Sequence, residues 1–296
     1  MLVLKLVYND DLDFVGEIQE LRTILRKKDI KIGIVESVEL DNHIVKILCD
    51  DDGYNERIKD IINLYISNVL YKIVIEQYKE KEMFDFLTEN YFFLKQEEVI
   101  EVEEEIMQIL LGKESLKFDN LVYCMNKMNN VIEKIKGCLE ENSEININGF
   151  IRFRMKELRE DIENIIDKVI ESYMVEKEYR EFVKLLKYFV DIQESKIDEV
   201  NILIDEIGNY SIKDKNKEDI FNEFMKELME CRIDTDAKME DIIISGLITN
   251  APKRVIIHGK KNCLNKEFID TIENVFEDKV SYCKGCSLCI EKQVKF

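Results

Sequence analysis

The chain has 296 residues, 46% of them apolar and 35% charged, and a formal net charge of −19. That length and apolar content allow a sizeable buried core and about two domains. A field this negative opposes phosphate backbones and anionic lipid, which excludes broad affinity for nucleic acid or for a membrane surface.

The first residues, LVLKLVY, form a β-type run without the basic leader and small-residue cleavage site of a signal peptide, and they read as a first strand. Phe14, Ile18, Leu21 and Leu25 then recur at spacings of four, three and four, the stripe of an amphipathic helix. DIKIGIV alternates, with Ile30, Ile32 and Ile34 on one face. HIVKILC follows ELDN, whose Asp and Asn suit a tight antiparallel turn. Residues 1–52 are therefore expected to form a strand–helix–strand–strand unit. His43, at the turn, reads as structural or solvent-exposed.

Residues 53–193 have a helical pattern. Ile58, Ile61, Ile62, Tyr65, Val69 and Ile73 make one stripe. EEVIEVEEEIMQILLG predicts a second helix, stopped by Gly112, whose glutamates face solvent. LVYCMNKMNNVIEKIKGCL predicts a third. The longest run, NGFIRFRMKELREDIENIIDKVIESYM, carries Ile151, Met155, Leu158, Ile162, Ile165 and Val169 on one side, with Asn148 as its N-cap. Its expected length is roughly 40 Å. Arg152, Lys156 and Arg159 share a face near its start, a candidate surface for an anion or an acidic partner beside a helix N-terminus. The competing reading is a solvated stripe paired with Glu160 and Glu163. Arg154, beside Phe153, is expected to pack inward with a paired carboxylate.

Residues 194–296 read as an α/β region. A hairpin is expected around Gly208 and Asn209, then helices near 217–231 and 238–250. A strand RVIIHG, a helix NKEFIDTIENVF and a strand KVSYC complete it. The fold class expected is mainly α with small β elements (α+β). There is one proline, Pro252, no flexible linker and no internal repeat. The longest apolar runs, such as DIIISGLI, fall far short of the roughly 20 residues that cross a bilayer. The expected location is the cytoplasm, where thiols stay reduced, so eight cysteines read as buried thiols or metal ligands and not as a disulfide framework.

Three of those cysteines, Cys283, Cys286 and Cys289, stand in C-x2-C-x2-C spacing. The segment from Arg254 to Cys283 has the 30 residues of a βαβ unit. A helix of eleven or twelve residues, capped by Asn265, returns the chain across the sheet, so its two strands should run parallel. Their carboxyl ends then share one edge, where His258, Cys263 and the three thiols could meet. From residue 251 onward nine Lys and Arg face six Asp and Glu, a local excess of positive charge that favours thiolates.

The spacing matches three ligands of an iron–sulfur run, but Lys292 and Gln293 stand near where a fourth Cys and a Pro would follow. Cys263, or His258 as the alternative, would supply the fourth ligand. Zinc on Cys263 and the trio is a second option. A thiol–disulfide or persulfide role, and an inert tail that binds no cofactor, stay open beside them. Cys49, Cys124, Cys138 and Cys231 read as buried free thiols.

The sequence holds no phosphate-cradling glycine loop, no G-x-S-x-G elbow and no H-E-x-x-H pair, and two histidines leave little for acid–base chemistry. Nothing argues for an enzyme, and no catalytic residue is assigned. The run NGFIRFRMKELREDIENIIDKVIESYMVEKEYREFVKLLKYFVDIQ, with ISGLITNAPKRVIIHG and TIENVFEDKVSY, resembles the YtxC-like sporulation proteins of endospore-forming bacteria over about residues 55 to 282. The resemblance implies a cytosolic role in sporulation and carries no molecular activity; the cysteine trio is not part of it. Two functions follow as expectations. One is a non-enzymatic scaffold that binds an unnamed protein partner and keeps a C-terminal thiolate metal site. The other is an iron–sulfur redox or oxidant-sensing protein. The partner and the oligomeric state are not legible.

Overall fold

The computed structural model describes the chain except residues 10, 11, 13, 40, 41, 51–53, 114–119, 231–237, 287 and 290–296, and describes residues 226–230 by backbone alone. Cys231, Lys292 and Gln293, singled out in the sequence, lie outside the described residues. The fold is mainly helical with two small sheets, as expected. It divides into two compact units, Met1–Met174 and Val175–Phe296.

In the first unit β1 (Leu2–Tyr8), α1 (Val15–Arg26), β2 (Ile32–Glu39) and β3 (Asn42–Cys49) follow the predicted order. β3 pairs antiparallel with both β1 and β2. A short strand that the sequence does not announce, β4 (Glu144–Asn146), adds parallel to β1, giving the order β2-β3-β1-β4. Helices α2 (Glu56–Tyr78), α3 (Phe84–Asn90), α4 (Gln96–Leu110) and α5 (Leu121–Glu141) cover this sheet's core. The Asn55 side chain starts α2 by accepting the Ile58 N–H at 3.0 Å. A π-helical turn, Lys79–Met83, joins α2 to α3. Leu6, Ile18, Ile47, Ile62, Ile106 and Ile135 are fully buried together.

Helix α6 (Ile147–Ile192) has 46 residues, about 70 Å at 1.5 Å per residue, longer than its best stripe suggested. No proline or glycine occurs between residues 150 and 192 to stop it. Its N-terminus is capped by Asn146, whose Oδ1 accepts the Gly149 N–H at 2.8 Å. Asn148, the expected cap, instead accepts the Asn9 N–H at 3.0 Å. The units part inside α6, where the sequence suggested divisions near 52 and 193. Ile151 to Tyr173 join the core that β1–β3 and α2–α5 share, whereas Val183 and Val190 join the second core.

The second unit contains β5 (Glu199–Ile204), β6 (Tyr210–Asp214), α7 (Phe221–Glu230), α8 (Met239–Asn250), β7 (Arg254–His258), α9 (Lys266–Phe276) and β8 (Val280–Tyr282). The β5–β6 hairpin closes on Asp205, whose Oδ1 accepts the N–H groups of Ile207 and Asn209 at 3.0 and 2.8 Å. The sheet order is β6-β5-β7-β8, antiparallel in the hairpin and parallel elsewhere. α9 makes the right length of crossover for that parallel pair. Asn265 caps it through the Phe268 N–H at 3.2 Å, and Phe268, Ile269, Ile272, Val275 and Phe276 face the core. Gly246 of α8 meets Phe224 of α7 so closely that a Cβ would lie 2.0 Å from the ring. Among the described residues no helix is long and apolar enough to cross a membrane.

Candidate metal centre

The parallel strands deliver chemistry to one sheet edge. Leu203 of β5 is level with His258 of β7, and Ile257 with Tyr282 of β8. The ladder extends one bond further, from the Cys283 N–H to the Ile257 carbonyl at 3.0 Å, and this draws the first thiol beside the histidine. Gly259 turns the chain away directly after His258 in the left-handed region, φ 69°. A Cβ there would stand 2.3 Å from the Ile204 carbonyl oxygen, so glycine is required on two counts.

After β8 the chain folds back over His258. The Gly285 N–H donates to Cys283 Sγ at 3.3 Å, and the Cys289 N–H to the Cys286 carbonyl at 3.1 Å. These turns bring Cys289 Sγ within 3.8 Å of both Cys283 Sγ and Cys286 Sγ. His258 Nδ1 lies 3.4 Å from Cys289 Sγ and 3.5 Å from Cys286 Sγ. The four donor atoms of His258, Cys283, Cys286 and Cys289 all fall within 4.8 Å of one another, an arrangement able to hold a metal ion.

His258 is only 4% exposed, and burial pushes its pKa down against the opposing pull of Glu199. The ring is therefore neutral near pH 7 and has one N–H. Asn201 decides which nitrogen carries it. The Asn201 amide donates to Glu199 Oε1 at 3.1 Å and to the Asp214 carbonyl at 3.3 Å. That orients its Oδ1, an acceptor only, at 2.9 Å from His258 Nε2. The proton sits on Nε2, and the Nδ1 lone pair faces the sulfurs. An imidazole held through its other nitrogen in this way is the usual support of a histidine ligand.

The crowded thiols influence one another. Burial alone would raise the Cys286 pKa, but the N–H groups of Cys289 and Leu288 and the neighbouring sulfurs bring it below the ordinary value. Cys289 is pushed up to about 11, by burial foremost and further by Cys283 and Cys286. A bound cation removes this conflict by stabilising each thiolate.

The structure brings together four of the five residues expected at this edge and leaves Cys263 out. A 3₁₀ turn at Lys260–Asn262 carries Cys263 aside, and its Sγ bonds to the Asn265 carbonyl at 3.1 Å and to Tyr210 Oη at 3.5 Å. Tyr210 in turn reaches Glu240 at 3.2 Å. Cys263 does border the same surface groove as Cys283, about 730 Å³ in volume. Histidine, offered as the alternative, stands where Cys263 was expected. Asn201 was not anticipated at all; an asparagine within NILI is a polar residue in a buried strand, and that oddity was the available signal.

The basic face of α6 lies in the first unit. Arg159 pairs with Glu82 at 2.6 Å and with Glu163 at 3.9 Å. Arg152 lines a groove it shares with Glu76, Glu80 and Glu82, and Lys156 is exposed. Acidic neighbours at Arg152 and Arg159 weaken the field that an anion would need. Arg154 does pair with a carboxylate, with Nη1 donating to both oxygens of Glu157, but it does so at the surface and not inward as expected, both side chains being exposed. Cys49 and Cys124 are buried, and burial raises the Cys124 and Cys138 thiols.

Residues 64–281 match the model of the YtxC-like family. The chain is also 23% identical over 222 residues to the uncharacterized protein YtxC of Bacillus subtilis (strain 168), covering 74% of this chain and 76% of that relative. No solved structure matches. The matched segment includes Asn201 and His258 and ends before Cys283.

Proposed function

The chain belongs to the YtxC-like family, and on that premise we propose that it is a non-enzymatic binding protein whose second unit is organised by one zinc ion on His258, Cys283, Cys286 and Cys289. Donor spacing supports this reading. A tetrahedral ion with Zn–S bonds of about 2.3 Å and a Zn–N bond of about 2.0 Å requires sulfurs about 3.8 Å apart and a nitrogen about 3.5 Å from each. The closest donor pairs measure 3.8 Å between sulfurs and 3.4–3.5 Å from nitrogen to sulfur. An iron–sulfur cluster sets several irons between its cysteines, so sulfurs bound to different irons stand farther apart than sulfurs on one ion.

Four protein ligands complete the coordination shell and leave no position for water or substrate, the condition of a structural site. The ion would staple the segment after β8 to β7. That suits a scaffold in the cytoplasm that presents surfaces to a protein partner. The family resemblance adds a role in sporulation, tested by deleting the gene in its endospore-forming host and counting heat-resistant spores.

Metal analysis of anaerobically purified protein is the deciding experiment. About one zinc per chain is expected, lost in Cys286→Ser and in His258→Ala and retained in Cys263→Ala. A brown preparation with stoichiometric iron and sulfide would replace this reading with the redox protein. Loss of metal in Cys263→Ala would overturn the ligand set.

A further inference from the structure

The last part of α6 has an apolar face that is exposed among the described residues. Val175, Phe182, Leu185, Tyr188, Phe189 and Ile192 are 43–64% exposed, while Val183 and Val190 on another face are buried in the core. Val175, Phe182 and Phe189 are seven residues apart, and so are Leu185 and Ile192, each three residues after a phenylalanine. This is the a/d pattern with which one helix seats another. We propose that the stripe is a dimerisation seam, covered by α6 of a second copy of this chain in antiparallel two-fold pairing.

Area, symmetry and charge each favour a second copy as the occupant. Six large side chains near half exposure offer, with their flanks, about 600–800 Å². Two copies then bury about 1,200–1,600 Å² in total, the range of stable specific interfaces. A two-fold axis at Val183–Lys184 lays Val175 on Ile192 and Phe182 on Leu185 of the second copy, so one patch is its own complement. The same register sets Glu181 between Lys184 and Tyr188 of the second copy, twice by symmetry. Glu178 is the one acidic residue in the stripe. Parallel pairing would stack it on its own copy, charge against charge, whereas antiparallel pairing places it beside Phe189.

Sedimentation equilibrium on the full metal-loaded chain in reducing buffer tests the seam. A dimer is expected at micromolar concentration. Phe182→Glu combined with Leu185→Glu should weaken it by roughly 100-fold or more, as removing central anchors does. These positions are exposed, so circular dichroism should still show a folded helical chain, while Tm should fall toward that of the monomer because the second copy no longer stabilises the fold. Glu178→Leu should tighten the dimer, because it removes a carboxylate from an apolar seam. A wild-type monomer, including one whose stripe proves to seat some other protein, overturns the proposal. So does a dimer indifferent to the double substitution, or one weakened by Glu178→Leu.

Discussion

Asn201 and His258 are 57 residues apart in sequence, yet the carboxamide oxygen of one accepts the Nε2 proton of the other at 2.9 Å within the buried sheet. Through that single bond the ring presents Nδ1, not Nε2, to Cys286 and Cys289.

Asn201→Leu should therefore lower zinc affinity by about 10–100-fold although all four ligands remain. Competition against a chromophoric chelator measures this. Unchanged affinity would mean that packing alone orients the imidazole.

Removing the ion should loosen the turn that carries Lys284. Its side chain is exposed between Cys283 and Gly285, so access for trypsin depends on whether the backbone can extend. Chelation should increase cleavage after Lys284, and zinc should restore protection; equal cleavage with and without chelator would show that the metal does not order this segment.

Gly259→Ala combines a left-handed backbone with a Cβ 2.3 Å from the Ile204 carbonyl oxygen. A cost of about 2 kcal/mol or more is expected, with weakened metal retention because His258 is the preceding residue. Thermal melts and metal content of the variant provide the check, and a wild-type Tm would contradict the close approach.

Asp161 is 6% exposed and bound by Lys127 at 3.0 Å and Lys134 at 2.7 Å. Burial pushes its pKa up, but the two lysines outweigh it and hold the carboxyl below the ordinary value. A depressed folded-state pKa stabilises the fold above the unfolded value, and that stability is lost as pH falls through the folded value. The lysines are partly exposed, so Asp161→Asn should cost only about 1 kcal/mol near neutral pH. Urea midpoints should show this gap closing below about pH 4; a gap that widens in acid would show that the carboxylate is not stabilised by its lysines.

Much of the architecture could be read from periodicity. The α6 stripe is buried as expected, the α2 stripe is buried except at the partly exposed Ile61 and Tyr65, and the 30-residue spacing from Arg254 to Cys283 does form a parallel βαβ unit. β4 was not legible because three residues, Glu144–Asn146, carry no pattern of their own and pair only with a strand far away in sequence. Cys263 was misplaced for a related reason. Counting from β7 puts it at the correct edge, but the hydrogen bond from its N–H to the Lys260 carbonyl and its thiol's bond to Asn265 commit it to the entry of α9. Such local geometry is decided by backbone turns that spacing does not encode. The tautomer of His258 depends on a strand partner more than fifty positions earlier, beyond any local motif.

The amide of Asn201 also grips the Asp214 carbonyl at the end of β6, and the Asp214 N–H is held by Glu218 at 3.0 Å. A polar relay thus crosses the apolar sheet from the cysteine sulfurs to its opposite margin. Amide exchange at Asp214 should consequently register whether the cation is bound, making a remote hairpin end the natural reporter of the cluster's occupancy.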